Sequence, residues 1–439
     1  MNEVPKKISV ALLGFGTVGS GVYRVIVENG ALITHREGLE ITAKRILVKD
    51  FASEPNIDMA PRELFTTSMD DIVNDPDISI CVECMGGVEP ARTFILAAIN
   101  AGKTVVTSNK EVISKHWYSF AEAAEKTGAG LYIEGTVGGG IPLLRTVTDS
   151  LQANAVTGIM GIINGTTNYI LTKMSEEGLN FSDVLQEAQA LGYAEADPTA
   201  DVEGFDATYK LSILSSLAFH THVPIDAIHR EGITKLSAAD FHAAKQLGYE
   251  IKLLAIGKKD EKKKLVEVRV HPTMIPRTHP LAAVRNAFNA VFIKGNAVDD
   301  VMLYGRGAGQ MPTASAVMGD VIYACHHMGT HRLPTFRNIP DMDAGTTLVS
   351  DWRSKYCLRT RVLDRPGVLC AMTGVLAKHD ISLNSVLQFS QTTCEKNGPI
   401  AWVTFLTHEA QELSMRAAVK ELTELEVVEC VESVIRVEE

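Results

Sequence analysis

Long apolar runs, blocks of one charge and paired cysteines are all scarce in this chain. No stretch approaches the roughly 18 consecutive apolar residues that a membrane-spanning helix needs, so none is expected. Positive charge is in deficit: 42 Lys and Arg stand against 53 Asp and Glu, a formal net charge of -11. That balance speaks against nucleic acid as a partner. The one basic run, Lys258-Lys259-Asp260-Glu261-Lys262-Lys263-Lys264, separates two strand-like stretches and reads as a solvated hairpin tip. The seven cysteines are odd in number and scattered, in a chain too large to need disulfide staples. Cys81 and Cys84 have C-x-x-C spacing, but positions three apart on a strand face opposite sides. No second pair supplies further metal ligands, and both read as reduced core thiols. His220 and His222, like His326 and His327, end apolar helices as ordinary cationic termini. With no carboxylate at ligand spacing they make no zinc site. Residues 1–7 run straight into a strand and leave no room for a signal peptide, so a cytoplasmic protein is expected.

At 439 residues the chain has room for about three domains. From 6 to about 135, apolar runs at 8–13, 41–48, 78–84, 104–107 and 131–133 alternate with helical stretches at 18–28, 90–101 and 118–127. That alternation predicts a Rossmann-like, doubly wound, largely parallel α/β sheet. Beyond 140 the pattern changes. Helices at 182–191 and 208–220 mix with strands at 156–163, 249–258, 265–272 and 290–294, as in an α+β domain with a mainly antiparallel sheet. Gly305-Arg306-Gly307-Ala308-Gly309 then precedes a helix expected over 313–327. The expected domains are 1–140, completed by about 305–330; 141–304 for substrate binding and dimerisation; a linker at 331–353; and 354–439. This last segment reads β-α-β-β-α-β, a ferredoxin-like unit.

The loop Gly14-Phe15-Gly16-Thr17-Val18-Gly19 joins the first strand to the first helix. The first glycine permits the tight turn, the second lets backbone approach a pyrophosphate, and the third lets helix and strand pack closely. Its position between strand and helix marks it as a dinucleotide cradle. The second strand ends near Lys49 and Asp50, later than usual, because 30–39 is expected to insert a loop. Asp50 would suit NAD; Lys49, or Arg45 turned inward, would suit the 2′-phosphate of NADP. Both cofactors stay open.

Residues 188–210 are dense in Gly, Asp and Glu. If Asp201 or a neighbour caps a helix, Glu203, Asp206 and Lys210 fall three and four apart on one face. A surface pair of that kind contributes only about 0.2–0.5 kcal/mol. Leu211, Ile213, Leu214 and Leu217 make the helix mostly apolar, however, which sets the polar face against a cleft rather than bulk water.

The segment Gly192-Tyr193-Ala194-Glu195-Ala196-Asp197-Pro198, followed by Asp201, Gly204, Asp206 and Lys210, resembles the signature of homoserine dehydrogenases. Val106-Thr107-Ser108-Asn109-Lys110, Glu134-Gly135-Thr136-Val137-Gly138-Gly139-Gly140-Ile141-Pro142 and Asn164-Gly165-Thr166-Thr167-Asn168-Tyr169 agree with it. The match runs in order from 8 to about 330, without an aspartate-kinase portion, and so resembles the monofunctional form. It implies reversible reduction of L-aspartate 4-semialdehyde to L-homoserine with NAD or NADP, in threonine, methionine and isoleucine biosynthesis. By the same resemblance Lys210 is the acid/base. Lys110, in the loop after a core strand, assists near the nicotinamide. Glu195, Asp201 and Asp206 meet the substrate's ammonium and fix Lys210, and Gly165 and Thr166 contact the substrate. Glu134, Val137, Gly139 and Ile141 match a loop that holds a monovalent cation, Na+ or K+, through backbone oxygens; a plain glycine-rich turn is the alternative. Gly307 and Gly309 match an element that covers the cofactor. The C-terminal unit is similar to ACT domains, with Arg365, Gly367, Asn384 and Ser385 as effector contacts and threonine as the effector, in a homodimer or homotetramer; a unit kept for oligomer contacts without a ligand is the alternative. Two rivals remain: another amino-acid or semialdehyde dehydrogenase on the same nucleotide fold, against which the 195–210 segment speaks, and a non-catalytic nicotinamide or amino-acid sensor, which gives no reason for Lys110 and Lys210.

Overall fold

The computed structural model of the chain describes residues 4–52, 54–328, 345–395 and 398–439. Its first sheet contains β1 (Lys6–Leu13), β2 (Leu39–Leu47), β3 (Phe65–Thr66), β4 (Ile78–Glu83), β5 (Thr104–Thr107) and β6 (Leu131–Tyr132). They lie in the order β3-β2-β1-β4-β5-β6, every pairing parallel. The connecting helices are α1 (Thr17–Glu37), α2 (Asp70–Val73), α3 (Ala91–Asn100) and α4 (Lys110–Thr127). From Val10 to Leu13 β1 is buried without a break, because helices cover both faces of a parallel sheet. The strand order reverses between β1 and β4, and the crevice beyond their carboxyl ends is where such sheets bind ligands.

Two expectations change here. The loop expected over 30–39 is helix: α1 continues through Gly30, buries Ile33, and ends at Gly38 (φ +67), whose N–H bonds Thr34 O. One interior glycine costs about 1 kcal/mol, and burying an isoleucine outweighs it. Lys110 is not in a loop but opens α4, capped by Asn109, whose side chain accepts from Val112 N.

The middle of the chain supplies α5 (Leu143–Arg145), β7 (Val156–Ile162), α6 (Gly165–Glu177), α7 (Phe181–Ala190), α8 (Thr199–Val202), α9 (Phe205–Phe219), β8 (His229–Arg230), α10 (Ala238–Gln246), β9 (Tyr249–Asp260), β10 (Leu265–Pro276), β11 (Phe288–Gly295) and β12 (Asp299–Arg306). The order β12-β11-β7-β9-β10 is antiparallel throughout. The lysine run tips the β9–β10 hairpin, but Lys259 is buried and donates to Phe219 O at 3.0 Å. α11 (Gln310–His327) begins earlier than the expected 313 and returns to the first sheet. It packs on α1 at Gly21, where a Cβ would lie 2.8 Å from Gln310 Cγ, and Gln310 Nε2 donates to Ser20 Oγ at 3.0 Å.

The tail contributes β13 (Thr347–Val349), β14 (Arg353–Leu363), α12 (Val368–Lys378), β15 (Leu383–Glu395), β16 (Gly398–Thr407), β17 (Ala410–Gln411), α13 (Glu412–Thr423) and β18 (Val428–Val437). Strands β18-β14-β16-β15 are antiparallel and share one core with α12 and α13, the ferredoxin-like arrangement expected. The tail is not a sheet of its own, however. β18 pairs in parallel with β10 (Thr273 with Arg436, Met274 with Val437), so one sheet runs through the middle region and the tail. The same strand β10 also takes β8 and β13. Of the expected linker, 331–344 lie outside the described residues. Among the described residues no helix is long and apolar enough to cross a membrane.

Candidate active site

The glycine turn after β1 lies in the crevice. A Cβ on Gly14 (φ +97) would come within 3.1 Å of the Cys84 carbonyl, and one on Gly19 within 2.1 Å of Gly14 O. Both glycines are therefore spent on bringing β1, α1 and the end of β4 together. Gly16 differs: nothing lies within 4 Å of its Cβ position. Beyond it the first turn of α1, with Thr17 and Val18, has no side-chain cap and no acidic residue. Open backbone, unsatisfied N–H groups and the positive end of a helix dipole fit the diphosphate of a nicotinamide cofactor. The Phe15 ring is core, edge-on to Tyr23 and Phe65, so Phe15 can serve a cofactor only through backbone. Its carbonyl accepts Asn56 Nδ2 at 2.9 Å. Lys49 and Asp50 follow β2 and are both exposed, and Arg45 turns its guanidinium to Lys44 O.

The loop at 134–141 interlocks with the turn before α11. A Cβ on Gly139 would lie 2.5 Å from the Gly307 carbonyl, and Gly140 N donates to Arg306 O at 3.1 Å. Gly307 leaves no room for a side chain against Asn289, and Gly309 (φ +126) precedes α11. Glu134 spends its carboxylate capping α5, accepting Leu144 N at 3.0 Å and Arg145 N at 2.7 Å. It could therefore offer a cation only its backbone oxygen. Burial pushes the Glu134 carboxyl up, against those two N–H bonds. From α11, Asp320 accepts Glu134 N at 2.8 Å and the Arg145 guanidinium; burial pushes it up to about 7. Val137 and Ile141 are buried, and the Ile141 carbonyl accepts Leu143 N at 2.7 Å.

Helices α4 and α9 bring Lys110 and Lys210 to the same carboxylate. Lys210 Nζ donates to Asp206 Oδ2 at 2.7 Å and to Ile163 O at 2.8 Å. Lys110 Nζ stands 3.0 Å from Asp206 Oδ1. Burial works to raise the Asp206 carboxyl, but Lys210 and Lys110 outweigh it and hold it well below the usual range. Asp206 in turn holds the Lys110 ammonium above its ordinary value. Asp201 is partly buried, accepts Asn164 Nδ2 at 2.7 Å, and makes no ion pair among the described residues. Burial, and then the Asp206 charge, push its carboxyl up. Glu203 is not on this face. Gly204 (φ +79) ends one helix and starts the next, and Glu203 turns to Thr234 at 3.0 Å.

Gly165 opens α6, with Ala287 O only 2.9 Å from where a Cβ would sit. Thr166 Oγ1 donates to Tyr193 O at 2.7 Å, tethering the 192–198 loop beside the cluster. Glu195 on that loop is exposed, and among the described residues its side chain makes no hydrogen bond or ion pair. Two participants escaped the sequence reading. Asn164 caps α6 by accepting Thr167 N, while its amide donates to both Asp201 and Asp206. An asparagine ahead of a helical run is a cap signal that could have found it. Glu83, fully buried at the end of β4, carries no local signal.

In the tail, Gly367 (φ +94) is the uncapped N-terminus of α12, with nothing within 4 Å of its Cβ position. Arg365 is exposed, Ser385 Oγ donates to Asn384 Oδ1 at 2.8 Å, and Gln388 Nε2 reaches Asp364 at 3.3 Å. The four expected effector contacts thus lie on the α12 turn and the neighbouring β15. The candidate metal ligands that cluster among the described residues are His229, Glu231 and Glu412. There the Arg436 guanidinium already bridges the two carboxylates.

Three family models match: the NAD-binding domain of homoserine dehydrogenase over 14–134, homoserine dehydrogenase over 142–322, and the ACT domain over 358–427. The chain is 39% identical over 436 residues to a homoserine dehydrogenase of Bacillus subtilis, covering 99% of each. To that of Corynebacterium glutamicum it is 43% identical over 440 residues, covering 98% of this chain and 96% of the relative. The crystal structure of a homoserine dehydrogenase from Thiobacillus denitrificans superposes with a TM-score of 0.91 at 40% identity, covering 99% of both. A hyperthermophilic archaeal homoserine dehydrogenase in complex with NADPH superposes with a TM-score of 0.63 at 28% identity, over 74% of this chain and all of that one.

Proposed function

The chain belongs to the homoserine dehydrogenase family, and from that premise we propose how its own residues carry the reaction. It is an NAD(P)-dependent oxidoreductase interconverting L-aspartate 4-semialdehyde and L-homoserine. When bound, the nicotinamide supplies the hydride in one direction and accepts it in the other. Lys210 holds the proton that the forming hydroxyl needs. An ammonium has three donors; Ile163 O and Asp206 engage two, and the third remains for the substrate oxygen. Lys110 brings a second cation to that oxygen, which favours the developing alkoxide. Asp201, partly buried and in no ion pair among the described residues, takes the substrate's ammonium, with Glu195 reaching in from the tethered loop. Gly165 and Thr166 line the same edge.

The observation that carries this reading is the fork at Asp206, one lysine on each oxygen. Lys210→Ala tests it. Cofactor affinity should persist while kcat falls roughly 10²–10⁴-fold, the range for losing a general acid. Retained turnover in a protein that binds cofactor would refute the assignment.

The domain boundaries expected from the sequence are retained, with α11 completing the nucleotide-binding unit through its contact with α1. Gly14 to Gly19, Gly307 and Gly309 hold NADP or NAD, and Lys49 and Asp50 choose between them; assays with each cofactor decide. Backbone oxygens at 134, 137, 139 and 141 hold Na+ or K+, testable by exchanging the two salts. Threonine binds at Arg365, Gly367, Asn384 and Ser385 and lowers activity, read as inhibition that Arg365→Ala abolishes. The assembly is a homodimer or homotetramer, resolved by sedimentation. A cytoplasmic location is proposed with it, tested by fractionation.

A further inference from the structure

Glu83 lies at the carboxyl end of β4, fully buried, and takes no part in the chemistry above. Its Oε2 accepts the Thr107 hydroxyl at 2.5 Å and its Oε1 accepts Met85 N at 2.7 Å. Because Thr107 spends its proton on Glu83, its oxygen faces Asn109 N as an acceptor, at 2.9 Å. Asn109 in turn accepts Val112 N, closing the first turn of α4, and donates to Gly87 O at 2.7 Å. The carboxylate therefore ties together two loops, 84–87 after β4 and 108–109 after β5. The first of these supports Gly14 of the cofactor turn; the second leads into Lys110 at the head of α4. We propose that Glu83 is a positioning residue that sets where the Lys110 ammonium stands relative to Asp206. The proposal rests on the role given to Lys110 above.

A glutamine at 83 fits the space but replaces one acceptor with a donor. Either Met85 N–H or the Thr107 hydroxyl then faces an N–H, and the Asn109 turn loses its register. Glu83→Gln should lower kcat roughly ten- to hundredfold, as expected for a displaced catalytic group. Thr107→Val should reproduce that loss and Thr107→Ser, which keeps the hydroxyl, should not; this pair also serves if the Glu83 variant fails to fold. The decisive measurement is kcat of Glu83→Gln in a Lys110→Ala background, where the further loss should shrink to less than about twofold. A Glu83→Gln loss that persists in full without Lys110, or an unchanged kcat in Glu83→Gln alone, overturns the proposal. An unchanged kcat in Lys110→Ala alone overturns the role of Lys110 and this proposal with it, so the two failures are told apart.

Discussion

Asp206 sits between two lysines and an asparagine amide, in a place where burial alone would raise its carboxyl. The lysines reverse that, and the coupling is reciprocal: what lowers Asp206 also raises Lys110. Asp206→Asn removes the charge while keeping the shape. Lys110 then loses its proton at lower pH, so the alkaline limb of kcat for aldehyde reduction should move down in pH. A pH–rate profile checks the direction, and an unmoved limb would mean that another group sets it. At this scale the sequence was partly legible. Asp206 and Lys210 stand four apart and do meet, but Glu203 was misplaced because Gly204 interrupts the helix with a left-handed residue. Lys110 comes from α4, which follows β5 of the first sheet, and no local spacing connects it to Asp206.

The strand, turn and helix around Gly14 to Gly19 separate two uses of glycine. Gly19 packs backbone against backbone, while Gly16 faces open space. Gly19→Ala should destabilise the fold by about 1–3 kcal/mol, the cost of overpacking, seen as a lower Tm. Gly16→Ala should leave Tm unchanged and weaken cofactor binding by about 1.4 kcal/mol or more, which is tenfold in Kd. Equal Tm losses for both would show that the turn is structural throughout. Periodicity and the glycine spacing made this element readable in advance. Where α1 stops was not readable, because an interior Gly30 looks like a breaker until Ile33 is seen against the core.

Across the molecule, β10 is the seam between the middle region and the ACT unit, taking β8, β13 and β18 along one edge. Buried arginines cross it. Arg436 from the tail donates to Glu231 beside β8 and to Glu412, and Arg359 donates to Asp240 at 2.9 Å. Burial would raise the Glu412 carboxyl, but Arg436 and Arg416 hold it below its usual range. Arg436→Met leaves Glu412 buried with only Arg416 and the Tyr356 hydroxyl among its described side-chain partners, at a cost of roughly 3 kcal/mol. A carboxyl whose folded pKa lies below the unfolded value stabilises the fold above the unfolded value, near pH 4.3, and loses that contribution as pH falls through the folded one. The gap between wild type and Arg436→Met should therefore be full at pH 7 and shrink as pH falls below about 4. Emission from Trp352, which packs against His271 and Arg269 at the seam, would follow the unfolding. A gap that stays constant with pH would place the cost elsewhere.

Local pattern in the chain is enough to specify the parallel nucleotide-binding sheet, the glycine turn, the ferredoxin-like order of the tail, and which residue types could carry the chemistry. Those features are written in period, turn residues and motif spacing, all of which act over a few residues. Tertiary structure alone decided that Lys110 and Lys210 share one carboxylate, that Asn164 and Glu83 hold the groups around them, and that β18 extends the sheet of β10. These depend on which backbone edges pair and which charges share a buried space, and contacts between residues far apart in the chain settle both.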